Sequence, residues 1–315
     1  MRYLLNILFS VILLPQASAD ELALEQYWEL AGFDNLQPSG LSFCGNDLVM
    51  VSDRHNHRIF TIPLLNAPST QIKTYRQMNL LNALPDDSRW QEQLADWGLK
   101  WTDKRFDWEG VHCDSHYSLF LASESLSAVA KIDLKGNANW VTPGLFSEIQ
   151  QQGFATRLNT GFEGITVHSD DITIALEREP RGLLRVKGEV PLTIIDKLKV
   201  IKNEGVISPL NADFTGLWLE HGPNDQPPKL YTLERNFFRV CRRNYEHWGA
   251  EACWSYHATE RSPEFRFENS HYGLAEGIAR LGNSIYIILD NNGEPRLKSG
   301  KNAPLLFKFK RPDNW

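Results

Sequence analysis

The chain has 315 residues, 42% of them hydrophobic, enough to bury a large core without relying on disulfide staples. Its formal charge of −6 at pH 7 argues against nucleic acid and against an anionic membrane surface as partners. The length alone would allow one or two domains, but a repeat running through it favours one.

In chain order, residues 1–19 read as a cleavable secretory signal. Arg2 supplies the positive end, Leu4 to Leu14 the apolar run, and Ala17-Ser18-Ala19 a small-residue cleavage site. The apolar run is too short to span a bilayer comfortably, and nothing later replaces it. The expectation is a periplasmic or secreted mature chain, residues 20–315, folded as one domain, without a membrane span and monomeric. Four cysteines in an exported chain permit two disulfides. The favoured pairs are Cys241–Cys253, which are local, and Cys44–Cys113, which occupy similar places in two repeats.

Five segments repeat one pattern: Ser39-Gly40-Leu41, Glu109-Gly110-Val111, Glu163-Gly164-Ile165, Thr215-Gly216-Leu217 and Glu276-Gly277-Ile278. Each opens with an oxygen-bearing side chain, then Gly, then an aliphatic residue. A strand-like run follows and an acid closes it: Asp53, Glu124, Glu177, Glu234 and Asp290, at separations of 14, 15, 14, 19 and 14 residues. The longest holds a loop insertion, Gly222 to Pro228.

The first repeat predicts strands over Gly40–Cys44, Asp47–Ser52, Arg58–Ile62 and Gln71–Gln77, with a Gly45-Asn46 turn. The second gives Gly110–Cys113, Tyr117–Ser123, Ala128–Ile132 and Asn139–Thr142. The third gives Gly164–His168, Asp171–Glu177, Leu183–Val186 and Leu192–Ile201. The fourth gives Gly216–Glu220, Leu230–Glu234, Phe237–Cys241 and Ala252–His257. The fifth has only Gly277–Leu281, Ser284–Asp290 and Leu305–Phe309. Helices are expected over Ser88–Lys100 and Gly144–Gln152.

Four-stranded antiparallel repeats spread along a chain are the mark of a β-propeller. The fold expected is therefore all-β, a five-bladed propeller, with six blades as the alternative if an insertion conceals a degenerate one. The last blade lacks its fourth strand, and Leu24 to Phe33 is strand-like and unassigned. An N-terminal strand completing the last blade would close the ring and remove two exposed edges.

In a propeller the innermost strand of each blade lines the axis, so the residues opening those strands converge on one face. Ser39, Glu109, Glu163, Thr215 and Glu276 should form an inner ring, and the five closing acids an outer one. Three carboxylates meeting on an axis need raised pKa values or a cation. A hard divalent ion with many oxygen ligands suits them, and Ca2+ fits best outside the cytoplasm; a water-filled polar channel is the alternative. Arg54, Arg178 and Arg235 follow acids of the outer ring directly, with Arg58, Arg181 and Arg296 a few residues later. Guanidinium groups beside a cation make a clamp for phosphate or carboxylate, or else each pairs with its neighbouring acid.

The segments Asp107-Trp108-Glu109-Gly110, Gly161-Phe162-Glu163-Gly164-Ile165, Leu176-Glu177-Arg178-Glu179-Pro180-Arg181 and Ala275-Glu276-Gly277-Ile278 resemble the phytase-like family, also labelled "esterase-like activity of phytase". The likeness runs over roughly residues 36 to 310. The inner-ring order Ser, Glu, Glu, Thr, Glu is similar to the calcium ring of the calcium-activated nucleotidases (apyrases), five-bladed propellers with Ser where Thr215 stands here. That second resemblance implies one central Ca2+ held by Ser39, Glu109, Glu163, Thr215 and Glu276, with Asp53, Arg54, Arg178 and Arg181 facing the substrate. The nucleotidase motifs of the other blades are not recognisable, and true propeller phytases have six blades and several calcium ions.

The leading expectation is a calcium-dependent phosphoester or phosphoanhydride hydrolase acting on a small anionic substrate. Arg54, Arg178, Arg181 and Arg235 would hold the anion, and Asp53 or Glu177 would accept a proton from the attacking water. The competing expectations are a non-catalytic binding propeller with a structural Ca2+ and a metal-dependent esterase or lactonase.

Overall fold

A computed structural model of the chain describes residues 20–79, 85, 106–156, 160–187, 193–200, 212–222 and 226–315. The secretory signal and the Ser88–Lys100 helix lie outside the described residues, as do Pro223 to Asp225 of the loop insertion. Five antiparallel blades make up the ring. Blade 1 holds β3 (Pro38–Cys44), β4 (Asp47–Ser52), β5 (Arg58–Thr61) and β7 (Lys73–Gln77). Blade 2 holds β8 (Trp108–Cys113), β9 (Leu119–Ser123), β10 (Ala128–Ile132) and β11 (Ala138–Trp140). Blade 3 holds β12 (Phe162–His168), β13 (Asp171–Leu176), β14 (Gly182–Lys187) and β15 (Thr193–Val200). Blade 4 holds β16 (Gly216–Glu220), β17 (Lys229–Glu234), β18 (Arg239–Asn244) and β19 (Ala250–Ser255).

Blade 5 holds β20 (Ala275–Leu281), β21 (Ser284–Leu289), β22 (Leu305–Lys310) and, as its fourth strand, β2 (Ala23–Ala31). The N-terminal strand closes the ring as the short last repeat requires: Leu24 pairs with Phe309 and Glu29 with Leu305. Two short strands refine this. β1 (Asp20–Glu21) adds in parallel to β19 of blade 4, and β6 (Ser69–Gln71) adds in parallel to β2 of blade 5. Each covers an outer edge that would otherwise present unpaired backbone groups. The expected single strand Gln71–Gln77 is thus divided between two blades. The expected strand Phe237–Cys241 instead begins at Arg239, because Arg235–Phe237 forms a 3-10 turn ended by Phe238 at φ 51°.

The second strand of each blade is apolar almost throughout because it is covered on both faces. Alternation assigns the two faces to the two neighbours. Val49 and Val51 pack toward blade 2, while Leu48 and Met50 pack toward blade 5. Leu119 and Leu121 meet blade 1, and Phe120 and Ala122 meet blade 3. Tyr231 and Leu233 meet blade 5, and Leu230 meets blade 3. The core is therefore a set of inter-blade seams rather than one centre.

The innermost strands touch in the order β3, β8, β12, β16, β20 and back to β3, a closed ring of five. The repeat glycines make that closure possible. A Cβ on Gly110 would stand 2.4 Å from the Glu163 carbonyl oxygen, and one on Gly164 2.4 Å from the Leu217 nitrogen. Both contacts are far below van der Waals distance, so each glycine lets the next blade's backbone approach the axis. The five Gly-aliphatic pairs leave no space for a water molecule between them. The axis is plugged, and the acidic ring sits in a basin above the plug rather than along an open channel.

Both disulfides form. Cys44–Cys113 joins the ends of β3 and β8, with Cα atoms 5.3 Å apart, and Cys241–Cys253 bridges directly opposed residues of β18 and β19 at 4.1 Å. Paired cysteines of this kind belong to oxidising compartments. Among the described residues no helix is long and apolar enough to cross a membrane.

Candidate active site: an acid-lined basin

Two local devices aim the repeated side chains. The pairing of the first two strands shifts register at the repeat glycine in blades 1, 2, 3 and 5, between Ser39 and Leu41, Trp108 and Gly110, Phe162 and Ile165, and Ala275 and Gly277. Such bulges re-aim a side chain at the end of a strand. In addition, the acid closing the second strand donates its backbone N–H to a residue just ahead of the first. Glu124 N–H binds the Asp107 carbonyl at 2.9 Å, Glu177 N–H that of Gly161 at 3.0 Å, and Asp290 N–H that of Leu274 at 2.9 Å. Inner and outer acids are thereby held side by side.

Blade 4 departs from this pattern. Its first pair runs in register from Gly216–Leu233 onward, with no bulge. Thr215 is fully buried and its hydroxyl donates to the Ala275 carbonyl at 2.7 Å. Thr215 therefore ties blade 4 to blade 5 and does not line the basin. Glu234, the outer acid of this blade, is also fully buried, between Arg181, Arg239 and Arg243 at 2.8, 2.7 and 2.6 Å. Burial raises its carboxyl pKa, but these guanidinium groups overcome burial and hold it at about 2. Arg181, expected at the substrate, stands in this cage, 2% exposed and over the Phe214 ring. Its charge is committed to Glu234.

The remaining repeat residues do converge. Ser39, Asp53, Glu109, Glu163, Glu177, Arg178, Arg235, Glu276 and Asp290 line one basin of about 450 Å3. Arg54 stands beside it, 3.4 Å from Asp53 and 38% exposed. Arg178 pairs with Glu177 and keeps 29% exposure at the rim. Arg235 reaches further in, binding Glu276 and Glu177 at 2.5 Å each and Asp213 at 2.9 Å. It divides the ring: Glu276 lies on its side, while Glu109 and Glu163 form no ion pair among the described residues.

On that second side the carboxylates crowd. Asp107, Glu109 and Glu124 offer oxygens within 4.8 Å of one another, and so do Glu124, Glu163 and Glu177. Glu124 is shared, with one oxygen accepting the Gly161 N–H at 2.8 Å. The Glu177 oxygen that avoids both arginines is buried and has no hydrogen-bond partner. Burial, reinforced by the neighbouring carboxylates, pushes Glu109 and Glu163 well above the ordinary carboxylate range and Glu124 to about 8. Burial also raises Glu276 to about 8 against the pull of Arg235, Asp53 to about 7 against Arg54, and Asp290 to about 6.

A site of this charge and donor set fits a hard divalent cation. All its donors are oxygens, several are carboxylates, and buried oxygens of Asp53, Glu177 and Asp290 have no hydrogen-bond partner. Asp107, Glu109, Glu124, Glu163 and Glu177 are the residues placed to hold it. Asp107 was visible only as the first letter of the Asp107-Trp108-Glu109-Gly110 motif. Asp213, which fixes Arg235, and Tyr272, Asn236 and Asn292, which complete the basin wall, lie outside the repeat pattern and carried no signal.

Residues 35–191 match the model of the phytase-like family, described as esterase-like activity of phytase. No curated protein matches the chain in sequence. In fold it is similar to glutaminyl cyclase of Myxococcus xanthus, with a TM-score of 0.53 and 11% identity over 93% of this chain and 98% of that one. It is also similar to the PQQ-bound aldose sugar dehydrogenase of Streptomyces coelicolor, at TM-score 0.48 and 12% identity over 93% and 99% of the two chains. A third likeness is to regucalcin, a calcium-binding protein of Agrobacterium tumefaciens, at TM-score 0.46 and 9% identity over 94% and 98%. At these identities the structural likenesses concern the fold alone.

Proposed function

With residues 35–191 identified as phytase-like, we propose that the chain is an exported, calcium-dependent hydrolase of small anionic esters, phosphate esters first among them. The observation that carries this reading is the uneven basin. Five carboxylates gather at blades 2 and 3, where Glu109 and Glu163 form no ion pair among the described residues, while guanidinium groups stand beside them at the rim. Two disulfides and the leader-like residues 1–19 support export.

The assignment of roles follows from exposure and charge. Asp107, Glu109, Glu124, Glu163 and Glu177 would hold Ca2+, with Ser39 and Glu276 on the remaining sides of the basin. When bound, such an ion polarises a phosphoryl or acyl oxygen and lowers the pKa of a coordinated water. Arg178 and Arg54 are the exposed cations and would bind the substrate anion. Arg235, fixed by three carboxylates, keeps the floor in shape and holds Glu276 and Glu177 apart. Asp53 is the best-placed proton acceptor, since one of its oxygens has no partner and its pKa lies near 7. Glu177, the other residue expected in that role, is engaged by Arg178 and Arg235 and belongs with the cation set.

The test is a substrate panel with Ca2+ and with chelator: phosphate monoesters, nucleoside di- and triphosphates, and aryl esters with lactones. Calcium-dependent turnover of a phosphate substrate, lost in Asp53→Asn, is the expected result. Turnover confined to the ester and lactone arm would move the chemistry to acyl transfer at the same basin. No turnover of any class by calcium-loaded protein would leave a binding propeller.

A further inference from the structure

The ends of the innermost strands away from the acidic basin carry a different chemistry. β8 places His112 near its end, β12 ends in His168, and His221 follows β16. Alternation along the strands turns His168 toward blade 4, on the side of Gly164, and turns His221 back toward blade 3, with Leu217 and Leu219. The two rings meet with centroids 5.3 Å apart and planes inclined by 36°. Imidazole nitrogens bind Zn2+ at about 2.0–2.1 Å, so two rings sharing a tetrahedral ion have centroids about 5 Å apart. The His168–His221 spacing is that of a ligand pair.

Two further observations point to a ligand. The Nδ1 atom of His168 is buried and has no hydrogen-bond partner, which is unusual for a ring nitrogen out of contact with water. His221 also lines a cavity of about 750 Å3 that runs between blades 2 and 3 and is walled in part by His112, Asp114 and Asp170. His168 does not line that cavity, so water or a small ligand there can reach the pair from the His221 side.

We propose that His168 and His221 form a second metal site, for a borderline divalent ion of the zinc and copper class, on the face opposite the acidic basin. The two sites separate by ligand chemistry: carboxylate oxygens select hard cations above the glycine plug, and imidazole nitrogens select softer ones below it. The proposal does not depend on what the basin hydrolyses.

Cu2+ is the probe, because it binds nitrogen sites most tightly in its series and reports its ligands by electron paramagnetic resonance. Tag-free mature protein is saturated with Ca2+ to occupy the basin and titrated with Cu2+. The expected spectrum is one ion with hyperfine coupling to two nitrogens. His221→Ala, at an exposed position, and His168→Gln should each weaken binding at least about tenfold, the least that loss of a ligand's support costs. His116→Ala, on the exposed turn after β8, and Glu163→Gln should leave it unchanged. A spectrum with one nitrogen or none would overturn the proposal, as would wild-type Cu2+ affinity in both the His221 and His168 variants.

Discussion

Arg235 donates to Glu276 at 2.5 Å across the boundary between blades 4 and 5. That contact breaks the five-fold equivalence of the repeat. An internal guanidinium neutralises one of the three axial glutamates, and its other nitrogens hold Glu177 and Asp213. Glu109 and Glu163 have no such partner among the described residues, so the proposed cation belongs at blades 2 and 3.

The first prediction concerns that cation. Ca2+ should raise the melting temperature and a chelator should lower it. Ligand at 100 times its dissociation constant adds about 2.7 kcal/mol by linkage. Glu163→Gln should blunt the response while leaving the calcium-free protein as stable as wild type or more so, because it removes one of several like charges. Thr215→Val should leave the response intact and cost about 1 kcal/mol, the worth of its bond to Ala275. Calorimetry of the three proteins with and without calcium decides. Identical curves for wild type and Glu163→Gln in both conditions would remove the cation from the basin.

The arginines should separate stability from activity. Arg235→Ala leaves Asp213 and Glu276 without their ion pair and Glu177 with Arg178 alone; their side chains are 1%, 13% and 2% exposed, and the change should cost about 3–5 kcal/mol. Arg178→Ala, at a half-open rim position, should cost less than about 1 kcal/mol yet reduce turnover of an anionic substrate. Denaturant melts and steady-state rates on the same preparations measure both. A large stability loss in Arg178→Ala would make it a structural residue.

A buried acid behind the basin gives a pH signature of its own. Glu260 is 3% exposed and accepts the Leu274 N–H at 2.9 Å, and burial raises its pKa to about 8. A carboxyl whose folded pKa exceeds its unfolded value stays protonated in the fold while the unfolded chain ionises. Its contribution is therefore full below about pH 4.5, falls by about 1.4 kcal/mol per pH unit above that, and levels off beyond pH 8. Glu260→Gln should flatten this part of the profile. The difference between the wild-type and variant curves from pH 5 to 8, at saturating calcium, tests it; parallel curves would mean that Glu260 ionises in the fold.

Ring closure makes the fourth prediction. Deleting residues 20–34 would remove β2 from between β22 and β6 and β1 from β19, exposing the outer edges of two adjacent blades. The truncated chain should be insoluble or lose cooperative melting. A soluble truncation melting at the wild-type temperature would show that the N-terminal strand is dispensable.

What the sequence determined is what repeats. The Gly-aliphatic spacing, the closing acids and the missing last strand gave five blades and the closing strand, while the closeness of Cys241 to Cys253 and the matched repeat positions of Cys44 and Cys113 gave both disulfide pairs. These follow from local rules of turn residues, alternation and edge avoidance, which act the same way in every copy. The convergence of Ser39, Glu109, Glu163 and Glu276 was legible for the same reason, since equivalent positions in a ring share a face. What only the tertiary structure decided is where equivalence ends. Thr215 and Glu234 match the pattern by position, but blade 4 has no bulge, and its threonine turns into the blade 5 interface while its acid meets three arginines. Which side chain receives a counter-charge depends on contacts between residues far apart in the chain, such as Arg235 with Asp213 and Glu276. No periodicity encodes those contacts, because they arise from packing and charge balance at one particular seam.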